Sequence, residues 1–172
     1  MKIEDPQDFL ENAFLSKAIK YKDDTLFIFG REGAMINMDL LVTLTKHLID
    51  EEPAALETAA YTGITGIIND YNARNTEEDR LKLFVNVLSA SGFGFADISK
   101  GKEGTFVHLN GCALAKVYLR RYGQSDKPVC HIIRGFLRQT FDVTYGSSGK
   151  VEELECIAQG KADCFFLYKV PE

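Results

Sequence analysis

The sequence predicts an α+β fold: an antiparallel β-sheet of about four strands with helices packed on one face, plus an N-terminal helical and β-hairpin extension. Two observations predict it. Helix-type periodicity dominates roughly the first 90 residues, and two pairs of short apolar strands follow, separated by two helical segments. The strict strand–helix alternation that builds a doubly wound nucleotide-binding sheet is absent. Residues 1–50 are expected to form an N-terminal extension or dimerisation arm, and residues 51–172 the main domain.

The N-terminal half is predicted to be mainly helical, because its apolar residues recur at helical spacing behind residues suited to helix starts. The first elements are a helix from Pro6 whose apolar face includes Ala18 and Ile19, and a β-type run at Thr25–Phe29 closed by Gly30-Arg-Glu-Gly33. Three helices follow: one capped by Asn37, one from Pro53 to about Asn75 that carries Tyr71, and one opened by Thr76-Glu-Glu-Asp79 and ended at Gly92.

Two glycines lie about one turn apart within the helix that begins at Pro53. Gly63 and Gly66 lower helix propensity at these positions, so we expect them to allow another helix to approach closely. That helix could belong to a second copy of the chain. A homodimer is therefore expected.

The C-terminal half is predicted to contain two hairpins separated by two short helices, because alternating apolar strands flank polar, glycine-containing turns. The predicted elements are strands at Phe93–Ile98 and Thr105–Leu109, helices near Gly111–Tyr122 and Pro128–Phe141, and strands near Val151–Ala158 and Cys164–Val170.

Charge and composition narrow the classes of function. The net charge is −5 and the pI about 5.3, which disfavours direct binding to nucleic acid. No apolar run approaches the roughly 20 residues that span a bilayer, and the start of the sequence does not resemble a signal peptide. We therefore expect a cytoplasmic protein that does not enter membranes. In that reducing compartment the four cysteines are expected to be thiols or metal ligands.

The segment from Glu153 to Cys164 carries the strongest chemical signal. Cys156 and Cys164 would lie on adjacent strands if the turn falls at Gly160, so that both sulfurs could bind one ion. Glu153 precedes Cys156 by three residues, and on a regular strand the two would face opposite ways. A bulge would bring both inward. Spacing alone also fits two buried core thiols.

The C-terminal segment resembles the 4-vinyl reductase domain family. The resemblance rests on linked motifs over about the last 45 residues. These are Cys130-His-Ile-Ile-Arg-Gly135-Phe-Leu, Tyr145-Gly146, Glu153-x-x-Cys156, Gly160 and Cys164-Phe165. The resemblance implies that residues 51–172 form a ligand-binding domain of this kind. It also implies a structural zinc site formed by Cys130, Glu153, Cys156 and Cys164.

Two alternatives to this ligand set remain open. Cys112 competes with Glu153 for the fourth position if the carboxylate points away, and His131 follows Cys130 directly. With four protein ligands, a zinc ion would have no open position for a catalytic water.

The family resembles hydrocarbon-binding sensor modules, which implies a hydrophobic, aromatic or lipid-like small molecule held between the sheet and its helices. Aromatic residues of the first hairpin and adjoining helices, with one histidine, are the candidate pocket residues. They are Phe93, Phe95, Phe106, His108, Tyr118 and Phe136. Each of these aromatic residues could instead fill the core.

The functional expectation is a sensor or carrier rather than an enzyme. No Gly-x-Gly-x-x-Gly follows a strand to bind a hydride donor, and no Gly-x-x-x-x-Gly-Lys-Ser/Thr loop is present. The alternative is a protein-interaction or dimerisation module without a small ligand.

Overall fold

The computed structural model describes residues 5–72 and 76–171, with side chains described outside residues 70–72. The predicted fold class is confirmed. Two antiparallel sheets are present: a three-stranded one with order β1-β2-β3 and a four-stranded one with order β4-β5-β7-β6. The strands are β1 (Ile19–Lys22), β2 (Thr25–Ile28), β3 (Arg31–Gly33), β4 (Phe95–Gly101), β5 (Gly104–Asn110), β6 (Lys150–Glu155) and β7 (Cys164–Lys169). The helices are α1 (Pro6–Leu15), α2 (Met38–Leu48), α3 (Pro53–Asn72), α4 (Glu77–Ala90), α5 (Ala113–Tyr122) and α6 (His131–Tyr145).

The N-terminal extension contains two strands that the sequence did not predict. The placement of Ile19 on the first helix is wrong, since α1 ends at Leu15 and the chain turns at Lys17, whose φ is 59°. Ile19 then begins β1, which pairs with β2. The segment Arg31–Gly33, interpreted as a turn, is the third strand of this sheet.

The predicted starts of α2, α3 and α4 are confirmed. The Asn37 side chain accepts a hydrogen bond from the backbone N–H of Leu40 at 2.9 Å. Thr76 and Asp79 form a capping box, in which the Asp79 N–H donates to the Thr76 hydroxyl at 3.3 Å. Such bonds satisfy N–H groups that the first turn of a helix otherwise leaves unpaired. The predicted end of α3 near Asn75 and the side chain of Tyr71 lie outside the described part of the chain.

The four-stranded sheet buries one face against the helices. Along β5, Thr105, Val107 and Leu109 are buried, whereas the alternating residues Phe106 and His108 are only partly covered. This is the period of two that a sheet with a single packed face requires. The two faces of this sheet therefore have different roles, one in the core and one at the surface.

Helix α6 crosses α3 at a point of close approach. A Cβ atom added to Gly135 would lie 2.8 Å from the Cβ of Ala60 and 3.0 Å from the backbone nitrogen of Tyr61. The glycines predicted to allow close packing behave differently, since Gly63 has no neighbour within 4 Å of that position and Gly66 lies against the side chain of Arg31. The close helix contact within the chain is thus made at Gly135.

Helix α6 also starts later than predicted, at His131 rather than Pro128, and runs on to Tyr145.

The last hairpin contains the irregularity that the sequence required. Residues Glu153 and Glu155 pair with consecutive residues of β7, Phe166 and Phe165, so that Leu154 is an extra residue in β6. A bulge of this kind reverses the alternation of side chains beyond it. The predicted extension of this strand to Ala158 is wrong, because β6 ends at Glu155 and a short 3-10 helix, Ile157–Gln159, follows.

Helix α2 packs into the core of the main domain. Val42 and Ile49 belong to the same buried apolar cluster as the residues of the sheet, and the Arg121 guanidinium lies 2.8 Å from a carboxylate oxygen of Asp39. A domain boundary at residue 50 remains a prediction.

Among the described residues, no helix is long and apolar enough to cross a membrane.

Candidate metal centre and ligand cavity

A buried cluster of three cysteines and a glutamate lies where α6 meets the last hairpin. Cys130 immediately precedes α6, Glu153 is on β6 beside the bulge, Cys156 precedes the 3-10 helix, and Cys164 begins β7. All three thiols have no solvent exposure, and Glu153 is 8% exposed. The cluster joins segments that are 34 residues apart in the sequence.

The donor atoms of this cluster are close enough to share one ion. All four ligand atoms lie within 4.8 Å of one another. The Cys130 sulfur is 3.7 Å from that of Cys164 and 4.0 Å from that of Cys156. A tetrahedral zinc site with Zn–S bonds of about 2.3 Å would place its sulfur atoms about 3.8 Å apart. The separations therefore suit a tetrahedral metal ion.

Glu153 is held at the start of α6. One carboxylate oxygen, Oε2, accepts a hydrogen bond from the backbone N–H of Cys130 at 3.1 Å. The other oxygen, Oε1, is buried and has no hydrogen-bond partner. Burial, with the neighbouring Cys156, raises the pKa of Glu153 to about 9. A buried acceptor without a partner is costly, and a cation would satisfy it and reverse this pKa shift. The orphaned oxygen thus fits the presence of a metal ion.

The two competing ligands have different positions. The Cys112 sulfur is buried and lies 3.6 Å from that of Cys130, so it touches the cluster. His131 directs its Nδ1 atom to Arg134, 3.3 Å away. Burial lowers the pKa of His131 to about 4. The group of donors that lie within reach of one ion contains Glu153 and neither Cys112 nor His131. This buried group could hold a metal ion.

An apolar cavity of about 200 Å³ lies apart from these residues, beneath the N-terminal sheet. Its wall is formed by aliphatic and aromatic side chains, and Ser91 is the one residue with a polar side chain among them. Helices α3, α4 and α6 supply most of the wall, and the loop before β4 and the end of β2 close it. The lining residues are Ile28, Phe29, Ile64, Ile67, Ile68, Leu83, Phe84, Val87, Leu88, Ser91, Phe93 and Phe136.

The structure brings together two of the six predicted pocket residues. Phe93 and Phe136 line the cavity and contact each other edge to face, with ring centroids 5.9 Å apart. The remaining four lie outside the cavity. Phe95 is 54% exposed, and Tyr118 is buried against Tyr122. Phe106 stacks on Phe165 on the outer face of the sheet, and His108 lies 3.2 Å from Asp163.

Sequence reasoning missed the contribution of the N-terminal extension to this cavity. Ile28 and Phe29 close it from β2, and Phe29 has an unusual φ of 50°. The run Thr25-Leu-Phe-Ile-Phe29 was a usable signal, because such a continuous apolar strand must cover other apolar groups.

Comparisons with known proteins agree with this architecture. Residues 114–170 match the vinyl-4-reductase (4-vinyl reductase) domain family. The match covers 57 of the 172 residues and lies in the C-terminal part of the chain. This confirms the resemblance that the C-terminal motifs indicated. No curated protein sequence matches the chain.

Three solved structures share the fold of this chain. The phenol-responsive sensory domain of the transcription activator PoxR, with phenol, has a TM-score of 0.73 at 15% identity and covers 95% of this chain and 89% of its own. A vinyl-4-reductase family protein from Methanocaldococcus jannaschii has a TM-score of 0.59 at 16% identity, covering 99% and 98%. A trafficking protein particle complex subunit 3 from Naegleria fowleri, covalently bound to palmitic acid, has a TM-score of 0.54 at 15% identity, covering 81% and 98%.

Proposed function

We propose that this vinyl-4-reductase-domain protein is a small-molecule sensor or carrier that binds a hydrocarbon or aromatic compound in the cavity beneath its N-terminal sheet. The observation that carries the proposal is the cavity wall, which is apolar except for Ser91. A preformed apolar cavity with few polar groups is the usual form of a small-molecule site. Burying an apolar ligand there would remove its surface from water.

The size of the cavity favours a ligand of about one aromatic ring or a short aliphatic chain. Its volume is about 200 Å³. An engineered apolar cavity of about 150 Å³ is sufficient for benzene in another protein. Since Ser91 offers the one side-chain hydroxyl, a ligand with at most one polar group fits best.

The solved structures of similar fold support this class of ligand. The PoxR sensory domain responds to phenol, and the Naegleria fowleri subunit carries palmitic acid. Both compounds are largely apolar. Our proposal for this chain extends that chemistry to a cavity whose lining residues are its own.

Thermal unfolding with benzene, toluene, phenol and octanoic acid tests the proposal. A ligand at about 100 times its Kd should stabilise the protein by about 2.7 kcal/mol, which raises Tm by about 5 to 10 °C for a chain of this length. Val87→Phe should occupy part of the cavity and reduce the shift without lowering the stability of the ligand-free protein. Ile36→Phe, at an exposed site outside the cavity, should preserve the shift. Equal shifts in both variants would exclude this cavity as the site.

The second element of the proposal is a structural zinc ion bound by Cys130, Glu153, Cys156 and Cys164. Thiolates are the ligands that zinc prefers, and carboxylates are accepted. Four protein ligands leave no place for a catalytic water, so this ion would tie the start of α6 to the last hairpin. We therefore assign the protein a binding role rather than a catalytic one.

Metal content measured on protein purified without chelator tests this site and its fourth ligand. We expect one zinc per chain, lost together with stability in Cys156→Ser and weakened in Glu153→Gln. Cys112→Ser is the matched control, because Cys112 is equally buried but lies outside the four-donor group. Zinc loss in Cys112→Ser with retention in Glu153→Gln would reverse the assignment of the fourth ligand.

A protein-interaction module is the second candidate function, favoured by exposed apolar side chains in residues 14–44. Leu15 is 81% exposed and Met35 79%. Further exposed apolar residues of this segment are Phe14, Tyr21, Ile36, Leu40 and Leu44. A second copy of the chain is the partner we propose, because patches of this kind mark interfaces.

Sedimentation velocity tests the homodimer. Wild type should sediment as a dimer, and the double substitution Leu15→Glu, Met35→Glu should yield monomers. Leu154→Glu, at an exposed apolar residue of the β6 bulge, is the control and should leave the dimer intact. A monomeric wild type would eliminate self-association as the role of this segment.

A further inference from the structure

We propose that a second cavity, the groove along the free edge of β6, binds a small carboxylate- or phosphate-bearing compound. The groove is separate from the apolar cavity, with which it shares no lining residue. Its volume is about 680 Å³, and α3, α6, the edge strand β6 and the end of β7 form its walls. Four cationic side chains line it, in a protein of net charge −5: Arg134, Arg138, Lys150 and Lys169.

Arg138 is a half-buried guanidinium with incomplete pairing. Its Nε atom is buried and has no hydrogen-bond partner. The carboxylates of Glu57 and Asp142 lie 3.9 Å and 3.7 Å away, beyond hydrogen-bond distance, and the guanidinium rests on the ring of Tyr61. An arginine presents five donors suited to carboxylate and phosphate oxygens. Since Nε is buried, the terminal nitrogens, of which Nη1 lies 3.9 Å from Glu57, are the donors available to an anion in the groove.

Lys150 and Lys169 are two further cations in the wall of the groove. They are direct partners across the β6–β7 pair, and both line the groove. Like charges directly opposite each other in a sheet are destabilising. Neither lysine has an ion pair within 4.0 Å among the described residues, although Glu152 lines the same groove. An anion between the two lysines would relieve their repulsion.

Arg134 lines the groove, but its guanidinium is already paired within the protein. It is paired with Glu57 at 2.8 Å, and its Nε atom donates to the carbonyl of Val151 at 3.2 Å. This bond ties α6 to the edge strand. The cations without a hydrogen-bonded carboxylate are therefore Arg138, Lys150 and Lys169. The lining also contains three carboxylates: the exposed Glu152, Glu57, which pairs with Arg134, and the buried Glu153 of the candidate metal centre.

The groove also contains apolar surface beside its charged side chains. Val151, Leu167 and Val170 contribute to the lining. A compound with one anionic group and a short apolar portion would contact both kinds of surface. Butyrate tests the carboxylate and inorganic phosphate tests the phosphate group. The alkyl chain of butyrate also tests whether the apolar surface contributes to binding.

Titrations of the full chain with butyrate and with inorganic phosphate, followed by amide chemical shifts, test the site. We expect saturable shifts at residues 150–153 and 169. Lys150→Gln and Lys169→Gln should each weaken binding about tenfold, the effect of losing one charge-assisted hydrogen bond. Lys102→Gln removes an exposed lysine of the β4–β5 turn and should have no effect. Arg138→Gln should weaken binding similarly.

Anion binding in the groove can be distinguished from ligand binding in the apolar cavity. Val87→Phe should leave the anion titration unchanged. Absence of saturable shifts for both anions, or equal weakening by Lys102→Gln, would overturn the proposal. Cosedimentation with phosphatidylcholine vesicles, with and without phosphatidylserine, separates two sources of the anion. If the protein binds vesicles that contain phosphatidylserine and Lys150→Gln abolishes this binding, the anion is a lipid headgroup. If the protein does not bind these vesicles, the anion is a free compound.

Discussion

The contact between α3 and α6 at Gly135 predicts opposite effects of one substitution at two glycines. Gly135→Ala should destabilise the protein, because the new methyl group would meet Ala60 and the backbone of Tyr61 at 2.8 Å and 3.0 Å. Gly63→Ala should stabilise it, because none of the described residues lies within 4 Å of the position of a Cβ atom at Gly63, on helix α3. Both residues are helical, so the difference isolates the packing contribution.

The expected magnitudes follow from two opposing contributions to the free energy of unfolding. Replacing glycine by alanine in a helix contributes about 1 kcal/mol of stability through backbone entropy. Overpacking a close-packed contact costs about 1 to 3 kcal/mol, since the backbone of α3 must move. The new methyl group would also overlap the backbone carbonyl oxygen of Glu57, which places the overpacking cost in the upper part of its range, about 2 to 3 kcal/mol. We therefore expect Gly135→Ala to be destabilising by about 1 to 2 kcal/mol, and Gly63→Ala to be stabilising by up to about 1 kcal/mol.

Urea unfolding followed by circular dichroism measures both variants under identical conditions. In thermal unfolding of a chain of this length, these changes correspond to a Tm lower by about 2 to 8 °C for Gly135→Ala and higher by up to about 4 °C for Gly63→Ala. If Gly135→Ala were as stable as wild type, the close approach of the two helices would be contradicted. A destabilising Gly63→Ala would contradict the open surface at that position and indicate that a partner covers it.

Three further predictions concern stability. Thr76→Ala removes the N-cap of α4 and should cost about 1 kcal/mol in urea unfolding; an unchanged midpoint would contradict the capping bond. Asp142→Ala should cost about 3 kcal/mol, because the N–H of Gly149 and the hydroxyl of Tyr168, which donate to it at 2.7 Å and 2.8 Å, lose their acceptor. A calorimetric loss below about 1 kcal/mol would refute that role. Arg121→Ala should cost less than about 1 kcal/mol, since its ion pair with Asp39 is exposed; a larger loss by the same measurement would contradict the surface assignment.

Local signals predicted the regular elements of this fold well. Asn37 and Thr76 cap the helices that they were expected to cap. Strand periodicity also predicted that Glu153 and Cys156 could face one ion only across a bulge or local bend, and a bulge is present. Strand β1 was not predictable in this way. Its sequence, Ile-Lys-Tyr-Lys, has little apolar character, and its stability depends on pairing with β2.

The positions of the candidate sites were harder to predict than the elements. Periodicity places Phe106 and His108 on one face of β5, but only tertiary packing decides which face meets the helices. The neighbours Val107 and Leu109 favoured the opposite face for the core. The approach of Cys130 to the last hairpin is also a long-range contact, and the family motif rather than local physics predicted it.

The location of a bound aromatic compound tests the central claim most directly. Crystals soaked with bromobenzene would show the bromine by its anomalous scattering. We predict a peak inside the cavity, next to Phe93 and Phe136, and a weaker peak there in Val87→Phe. Bromine found only at the protein surface, with the cavity unchanged, would contradict the assignment of this protein as a binder of apolar small molecules.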